Sequence, residues 1–376
     1  MTSPDEKHAG SLIPRSNSNP ATVDRSGGVD SHLVEDALAI ARRRDLQTAG
    51  KQFRIGSFEL CEPDYRQVLR WAKALQWSPE DVLDTLASLS YEMSVGEEIK
   101  LRIENGSIRD LVWDGERLNL ESFEWEAGLS IQTLGILKRM PKWLPTETLG
   151  SLSTLSVKWR NLTEIDLTPA PGLTTLNCAS NQLTELDLTP VPGLTTLNCA
   201  NNQLTELDLT PVPGLKTLNC ASNQLTKLDL SPVPGLTTLW CQENLLTELD
   251  LSPVPELTTL WCDENRLTKL DLTPVPGLTE LICSFNLLTE LNLPPVSSLM
   301  DLFCDHNSLT ELDLSPVAGL KNLLCKKNQL TELDLSPVPG LTTLWCQENL
   351  LTKLDLRPLD NPKISVNYDP DVRIIR

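Results

Sequence analysis

The sequence predicts a solenoid of stacked, β-rich coils with a small mixed module at its N-terminal side. Three observations carry that expectation. Ten consecutive 21-residue units fill residues 152–361, and a fixed period of this length marks coils stacked one on the next. The unit 194–214 reads LTTLNCANNQLTELDLTPVPG and departs from its predecessor only at Asn201, which replaces Ser180. Within each unit, apolar residues recur at positions one, four and six and again in LTxLDL, so two short arms turn the same face inward. Aromatics make up only 5% of the chain, so leucine builds the core.

The elements before the repeats are expected in this order. Residues 1–30 are rich in Ser, Pro, Asn and Gly and poor in apolar residues, the composition of a disordered tail. A helical pattern near 31–44 carries Leu33, Ala37, Leu38 and Ile40, and a second near 63–76 carries Val68, Leu69, Ala72 and Leu75. A third helix opens on Ser78-Pro79-Glu80-Asp81, a cap, a proline at the first helical position and acids in the first turn. EIKLRI, SIRDLVW and RLNLESF then read as short strands, joined by the turn dipeptides Asn105-Gly106 and Asp114-Gly115. A helical stretch near 128–140 is expected before Pro141. Residues 31–150 thus form an α+β module that caps the open apolar end of the solenoid.

Inside a unit, LxxLxC reads as a strand, and the Asn at position nine (Asn181, Asn202 and onward to Asn349) sits where the chain turns. Its amide can bond backbone groups of neighbouring coils. LTxLDL repeats the inward spacing, so the outer arm is expected to be extended too. Pro-x-Pro closes most coils, fixing φ and presenting no N–H to leave unpaired. Nine of the ten cysteines, from Cys178 to Cys346, fall 21 residues apart. Stacking puts them in a column with parallel Cβ vectors about 4.8 Å apart, poor geometry for disulfides. They read as buried free thiols, which suit a reducing compartment.

LxxLxCxxNxL resembles the leucine-rich repeat, and the LTxLDL arm is similar to the short 21-residue bacterial class called IRREKO. The resemblance covers about 210 of the 376 residues. It departs in the first unit, where Val157 replaces Cys and Arg160 stands at the Asn position, and the tail 362–376 keeps only fragments, as a degenerate closing coil would. The resemblance implies a leucine-rich repeat solenoid, a right-handed arc with the LxxLxC strands on its concave side, used for binding proteins. The domain boundaries expected are a tail at 1–30, the cap at 31–150, the solenoid at 151–361 and the closing coil.

Charge narrows the partners. The net charge is −19, and residues 152–361 hold 25 Asp and Glu against 11 Lys and Arg. That balance argues against nucleic acid and anionic membranes. No window approaches the roughly 18–20 apolar residues of a membrane span, and the first residues lack the basic-then-apolar order of a secretory signal. A cytoplasmic protein is the expectation; the alternative is export by a specialised secretion system, with residues 1–30 as its signal.

Function is sought where the pattern breaks. Position five points outward on the concave face, because side chains alternate along a strand. Through the first four units it holds Ser156, Asn177, Asn198 and Asn219; through the last six it holds Trp240, Trp261, Ile282, Phe303, Leu324 and Trp345. Five rung steps make this apolar stripe about 24 Å long. Phe285 and Met300 extend it, with Leu245, Leu287 and Leu350 near the turn, and Glu243, Asp263, Glu264, Asp305 and Glu348 flank it. A stacked ladder that only stabilises the coils is one account of the stripe. A contiguous apolar patch on a binding surface is the other, and Trp is enriched at interface hot spots. The acidic flank favours a protein partner with apolar anchors and a basic rim; self-association is the other occupant to consider.

Other chemistry finds little support. The outward Asp column, from Asp187 to Asp355, is better read as bonding its own turn backbone than as a calcium site. The only histidines are His8, His32 and His306, and no nucleophile elbow or phosphate loop occurs. Cys61 is a lone thiol outside the column. The sequence therefore points to a non-enzymatic protein-binding scaffold, a signalling adaptor, without cofactor or metal. The alternative is an exported bacterial effector that binds host proteins through the same repeats.

Overall fold

The computed structural model describes residues 52–75, 77–92, 98–100, 102–104, 107–114, 133–137 and 152–158, then 161–376 except 169, 294–297 and 361–362. A parallel β-solenoid dominates it. From β8 (Thr154–Ser156) and β9 (Thr175–Asn177) to β17 (Thr343–Trp345), each repeat contributes one three-residue strand. Each pairs in parallel with the next at a register of 21 residues, as Leu197 with Leu218 and Leu218 with Leu239. The strands belong to one 14-stranded sheet.

The inward positions are filled as the spacing requires. Leu194, Leu197 and Cys199 are fully buried, as are their equivalents in the following coils, and Val191 and Val212 close the core beneath the proline turns. None of the ten cysteines is in a disulfide, and the nine of the column are buried. Burial pushes the thiols of Cys178 and Cys241 up to about 12, so the column carries neutral S–H groups that pack as small hydrophobes.

The position-nine asparagines tie coil to coil. Asn223 donates from Nδ2 to the carbonyls of Cys220 (3.0 Å) and, one coil back, Cys199 (3.1 Å). Its Oδ1 accepts from the Leu204 amide at 3.0 Å. The same three bonds recur from Asn202 to Asn349, leaving those buried backbone groups satisfied.

The outer arm does not form a strand ladder along most of the solenoid. Its direction is set by the Asp two residues before each Thr or Ser. Asp187 Oδ1 accepts from the Thr189 amide (2.9 Å) and hydroxyl (2.6 Å), which holds its carboxyl below the usual range. The Val191 amide then bonds Leu188 O and Leu194 bonds Val191 O, making two successive turns around Pro-x-Pro. Among the described residues an outer arm pairs only at the end: β18 (Lys353–Asp355) lies parallel to β20 (Arg373–Ile375), while β19 (Ser365–Asn367) extends the main sheet from β17.

The N-terminal module joins the sheet directly. Helices Glu62–Leu75 and Pro79–Ser88 lie at the expected places, and Ser78 Oγ caps the second by accepting from the Asp81 amide at 3.0 Å. A hairpin that the sequence reading had not assigned precedes them, β1 (Gln52–Ile55) with β2 (Phe58–Cys61), turning at Gly56 with φ of 54°. The strands β3 (Ser90–Glu92) and β4 (Glu98–Lys100) pair antiparallel. β5 (Arg102–Glu104) and β6 (Ser107–Asp114) form the hairpin expected at Asn105-Gly106. The helix expected near 128–140 is not what forms there: β7 (Thr133–Leu137) is a strand, parallel to β6 on one side and β8 on the other. An exposed sheet edge supplies ladder bonds that a lone helix in this position would forgo, so tertiary pairing overrides the local pattern. The helix expected near 31–44 and the strand RLNLESF lie outside the described residues.

Candidate protein-binding face

The stripe of position-five residues occupies the last place in each strand. The register runs Asn219 to Trp240, Trp240 to Trp261, then Ile282, Phe303, Leu324 and Trp345. The six stripe residues, with Phe285, Glu243, Glu264 and Asp305, lie in adjacent coils at or just after these strand ends. Exposure rises along the row, from 0% at Ser156 and 3% at Asn177 to 38% at Trp345. The intervening large side chains are half-buried; Trp240 and Trp261 lie 5.6 Å apart between ring centroids, tilted by 52°. The two indole N–H groups are enclosed without an acceptor. Outside the row, Phe285, Leu287, Met300 and Leu350 are exposed, at 47%, 56%, 53% and 60%.

The reason for the row's two halves becomes visible at positions seven and eight. Through the first half, the Asn at position five turns its Oδ1 onto the amide two residues on: Asn177 to Ala179, Asn198 to Ala200 and Asn219 to Ala221, each at 3.1 Å. Those alanines pack together. The next residue lies in the left-handed region, with φ between 51° and 57° from Ser180 to Glu348. Ser180, Asn201 and Ser222 are short polar residues there, and Asn in particular tolerates this conformation.

From the fifth unit onward all three positions change together. Trp240-Cys241-Gln242-Glu243 replaces Asn-Cys-Ala-Ser, and Trp261 with Asp263-Glu264, Ile282 with Ser284-Phe285, Phe303 with Asp305-His306, Leu324 with Lys326-Lys327 and Trp345 with Gln347-Glu348 follow. Each coil loses its side-chain acceptor, and a bulkier residue takes the left-handed position. Phe285, an aromatic, stands there at φ 52°, a conformation that costs on the order of 1–3 kcal/mol outside glycine.

Their side chains form a graded surface. Asp263 is pushed up to about 6, chiefly by burial, with Glu264, Glu243 and Asp305 adding like charge. Asp305, expected at the rim, is 6% exposed; it accepts from Ser284 Oγ and meets His306 Nδ1, both at 2.7 Å. His306 stacks on Phe285 at 3.8 Å. In the next coils Lys326 lies over the Trp345 ring, 5.8 Å from its centroid, and Lys327 pairs with Glu348 at 3.7 Å. Ser284, His306 and Lys326 were not assigned to the site from the sequence. The signal that could have found them is the simultaneous change at positions five, seven and eight.

Among the described residues, no group of three or more His, Cys, Asp or Glu is placed to hold a metal ion, and no helix is long and apolar enough to cross a membrane. Cys61 donates from Sγ to Asp64 Oδ2 at 2.7 Å, at the start of the first helix.

Residues 171–211 match the family model of leucine-rich repeats in two copies. The functional domain of InlJ from Listeria monocytogenes, whose structure includes a cysteine ladder, is 40% identical, with a TM-score of 0.57. That alignment covers 59% of this chain, and the chain spans only half the length of the InlJ domain. YopM from Yersinia enterocolitica WA-314 is 26% identical, with a TM-score of 0.51, over 68% of this chain and 61% of its own. No curated protein matches the sequence. The coils are leucine-rich repeats, a scaffold typical of protein-interaction domains, and no catalytic family is indicated.

Proposed function

We propose that the chain is a non-enzymatic signalling adaptor that holds a protein partner on the C-terminal half of the face carrying Trp240, Trp261, Phe303 and Trp345. The observation behind this reading is the joint change at positions five, seven and eight from the fifth coil onward. Six coils give up a side-chain acceptor, and five of them place Glu, Phe or Lys, which disfavour it, in a left-handed turn. A surface that forgoes local stability in one contiguous block is under a demand from outside the fold. The block is also apolar and rimmed with carboxylates, the anatomy of an interface whose anchors are aromatic and whose partner is basic at its edge.

The test is light scattering together with affinity capture, on the wild type and on Trp240→Asp/Trp261→Asp. Control substitutions Asn198→Ser and Asn219→Ser lie on the first half of the same row. The reading expects a monomer that captures one defined protein, lost in the Trp variant and retained in the control. A dimer that the Trp variant splits would make the stripe a self-association face. Capture that survives both sets would remove the function from this face.

A second reading uses the same face: an exported effector that binds host proteins. The Ser-, Pro- and Asn-rich composition of residues 1–30 favours it. Fusing those residues to a reporter separates the two, because only an effector's leader directs export.

A further inference from the structure

The acidic and aromatic residues of the fifth and sixth coils point to the chemistry of the partner's anchor. The chain shows one cation–indole contact among the described residues, and its geometry is instructive. Lys326, at position seven of its coil, reaches forward to cover Trp345, at position five of the next. The register places the same relation one coil before Trp240 and one before Trp261. There the residues equivalent to Lys326 are Ala221 and Gln242. Ala221 ends in a methyl group, and the Gln242 Oε1 atom is enclosed without a donor. Among the described residues, no cation covers either indole.

The coil before Trp345 supplies Lys326 and Lys327, whereas the coils of these two rings supply carboxylates and no cation at the same positions. Glu243, Asp263 and Glu264 occupy positions seven and eight of the two coils. Glu243 accepts a hydrogen bond from Ser222 Oγ at 2.9 Å, and among the described residues no Lys or Arg pairs with any of the three. Asp263 feels both neighbours and Asp305 as well, on a carboxyl already penalised by burial. Carboxylates two and three residues from the indoles, crowded on one another without a counter-charge of their own, are complementary to a desolvated cation.

We infer that Trp240 and Trp261, with Glu243, Asp263 and Glu264, receive a cationic side chain of the partner, an arginine or a lysine, in the position that Lys326 takes over Trp345. The inference rests on the proposed docking face and specifies what anchors there. Apolar contacts toward Ile282 and Phe303 lie on the C-terminal side of that anchor, so the partner presents its basic residue toward the fifth and sixth coils and its apolar residues toward the seventh and eighth.

The experiment is NMR titration of the indole N–H signals of the full chain with acetyl-Arg-Arg-Arg-amide, against the neutral citrulline counterpart. The Trp240 and Trp261 signals are assigned by Trp240→Leu and Trp261→Leu. The arginine peptide is expected to shift those two signals at low salt, with affinity at least tenfold above the citrulline peptide. The tenfold advantage disappears in Glu243→Gln/Asp263→Asn/Glu264→Gln, whose fold is checked by its unchanged circular dichroism. Equal affinity for the two peptides would overturn the inference, as would an unchanged response in the carboxamide variant or a larger shift at Trp345. If the peptide fails while Trp240→Asp/Trp261→Asp still loses a captured protein, the docking face stands and the cationic anchor falls.

Discussion

Asn223 shows how much a single side chain carries in this solenoid. Its amide satisfies two buried carbonyls and one buried amide across two successive coils. Asn223→Ala leaves those groups unpaired, at about 1–3 kcal/mol for each that water cannot reach, so a loss of about 3 kcal/mol in urea denaturation is expected. Position eight gives the opposite sign. Glu264 is exposed and left-handed, with φ of 51°, where Asn201 stands in the third coil; Glu264→Asn should stabilise the chain by about 1 kcal/mol. It should also weaken partner binding, as acidic anchors would require. Asp263 adds a pH signature. Its folded-state carboxyl titrates near 6, above its ordinary 3.8, so the folded state binds the extra proton between those values. Stability should therefore rise as pH falls from about 6 toward 4, and Asp263→Asn should remove that rise in thermal melts. The asparagine ladder was legible in the sequence, because a buried amide at a turn has few other roles. The left-handed position was not, because Ser, Glu, Phe and Lys share no composition that announces a positive φ.

At the scale of elements, the repeats were legible and the junction was not. Twenty-one-residue spacing with Leu at positions one and four dictates the strands, and the structure places them at that register. Residues 133–137 carry Leu134, Ile136 and Leu137, spacing that suits a helix or a strand equally, and only the free edge of the neighbouring strands decides it. The β1–β2 hairpin had its signal in Phe53, Ile55, Phe58 and Leu60, alternating around Gly56-Ser57, but four-residue strands give periodicity little to act on. The outer arm also departs from the extended strand its inward spacing suggested, because the Asp side chains bond the turn that follows. One row of leucines shows how the module is continued into the solenoid: Leu111 pairs with Leu134 and Leu134 with Leu155. Leu111 is fully buried. Leu111→Ala should cost about 2–5 kcal/mol, read as a lowered melting temperature.

Across the whole molecule, near-identical coils stack into one continuous leucine and cysteine core, and a face that changes character halfway along is laid on this regular frame. The frame explains why the fold could be read without a structure: each coil repeats the same solution, so every unit confirms the last. The face was legible only as an apolar stripe. Its half-burial, its loss of asparagine acceptors and its left-handed flank required coordinates. The net charge of −19 belongs to this scale too, since a long anionic surface draws basic partners and does so less in salt. The central claim is that a partner sits on the second half of the row and leaves the first half free. Oxidative footprinting of the chain with and without its captured partner tests it most directly. The account predicts protection of Trp240, Trp261, Phe303 and Trp345, with the prolines and leucines of the outer arm unchanged. Protection confined to the outer arm or to the N-terminal module, with these four residues oxidised at the same rate in the complex, would contradict it.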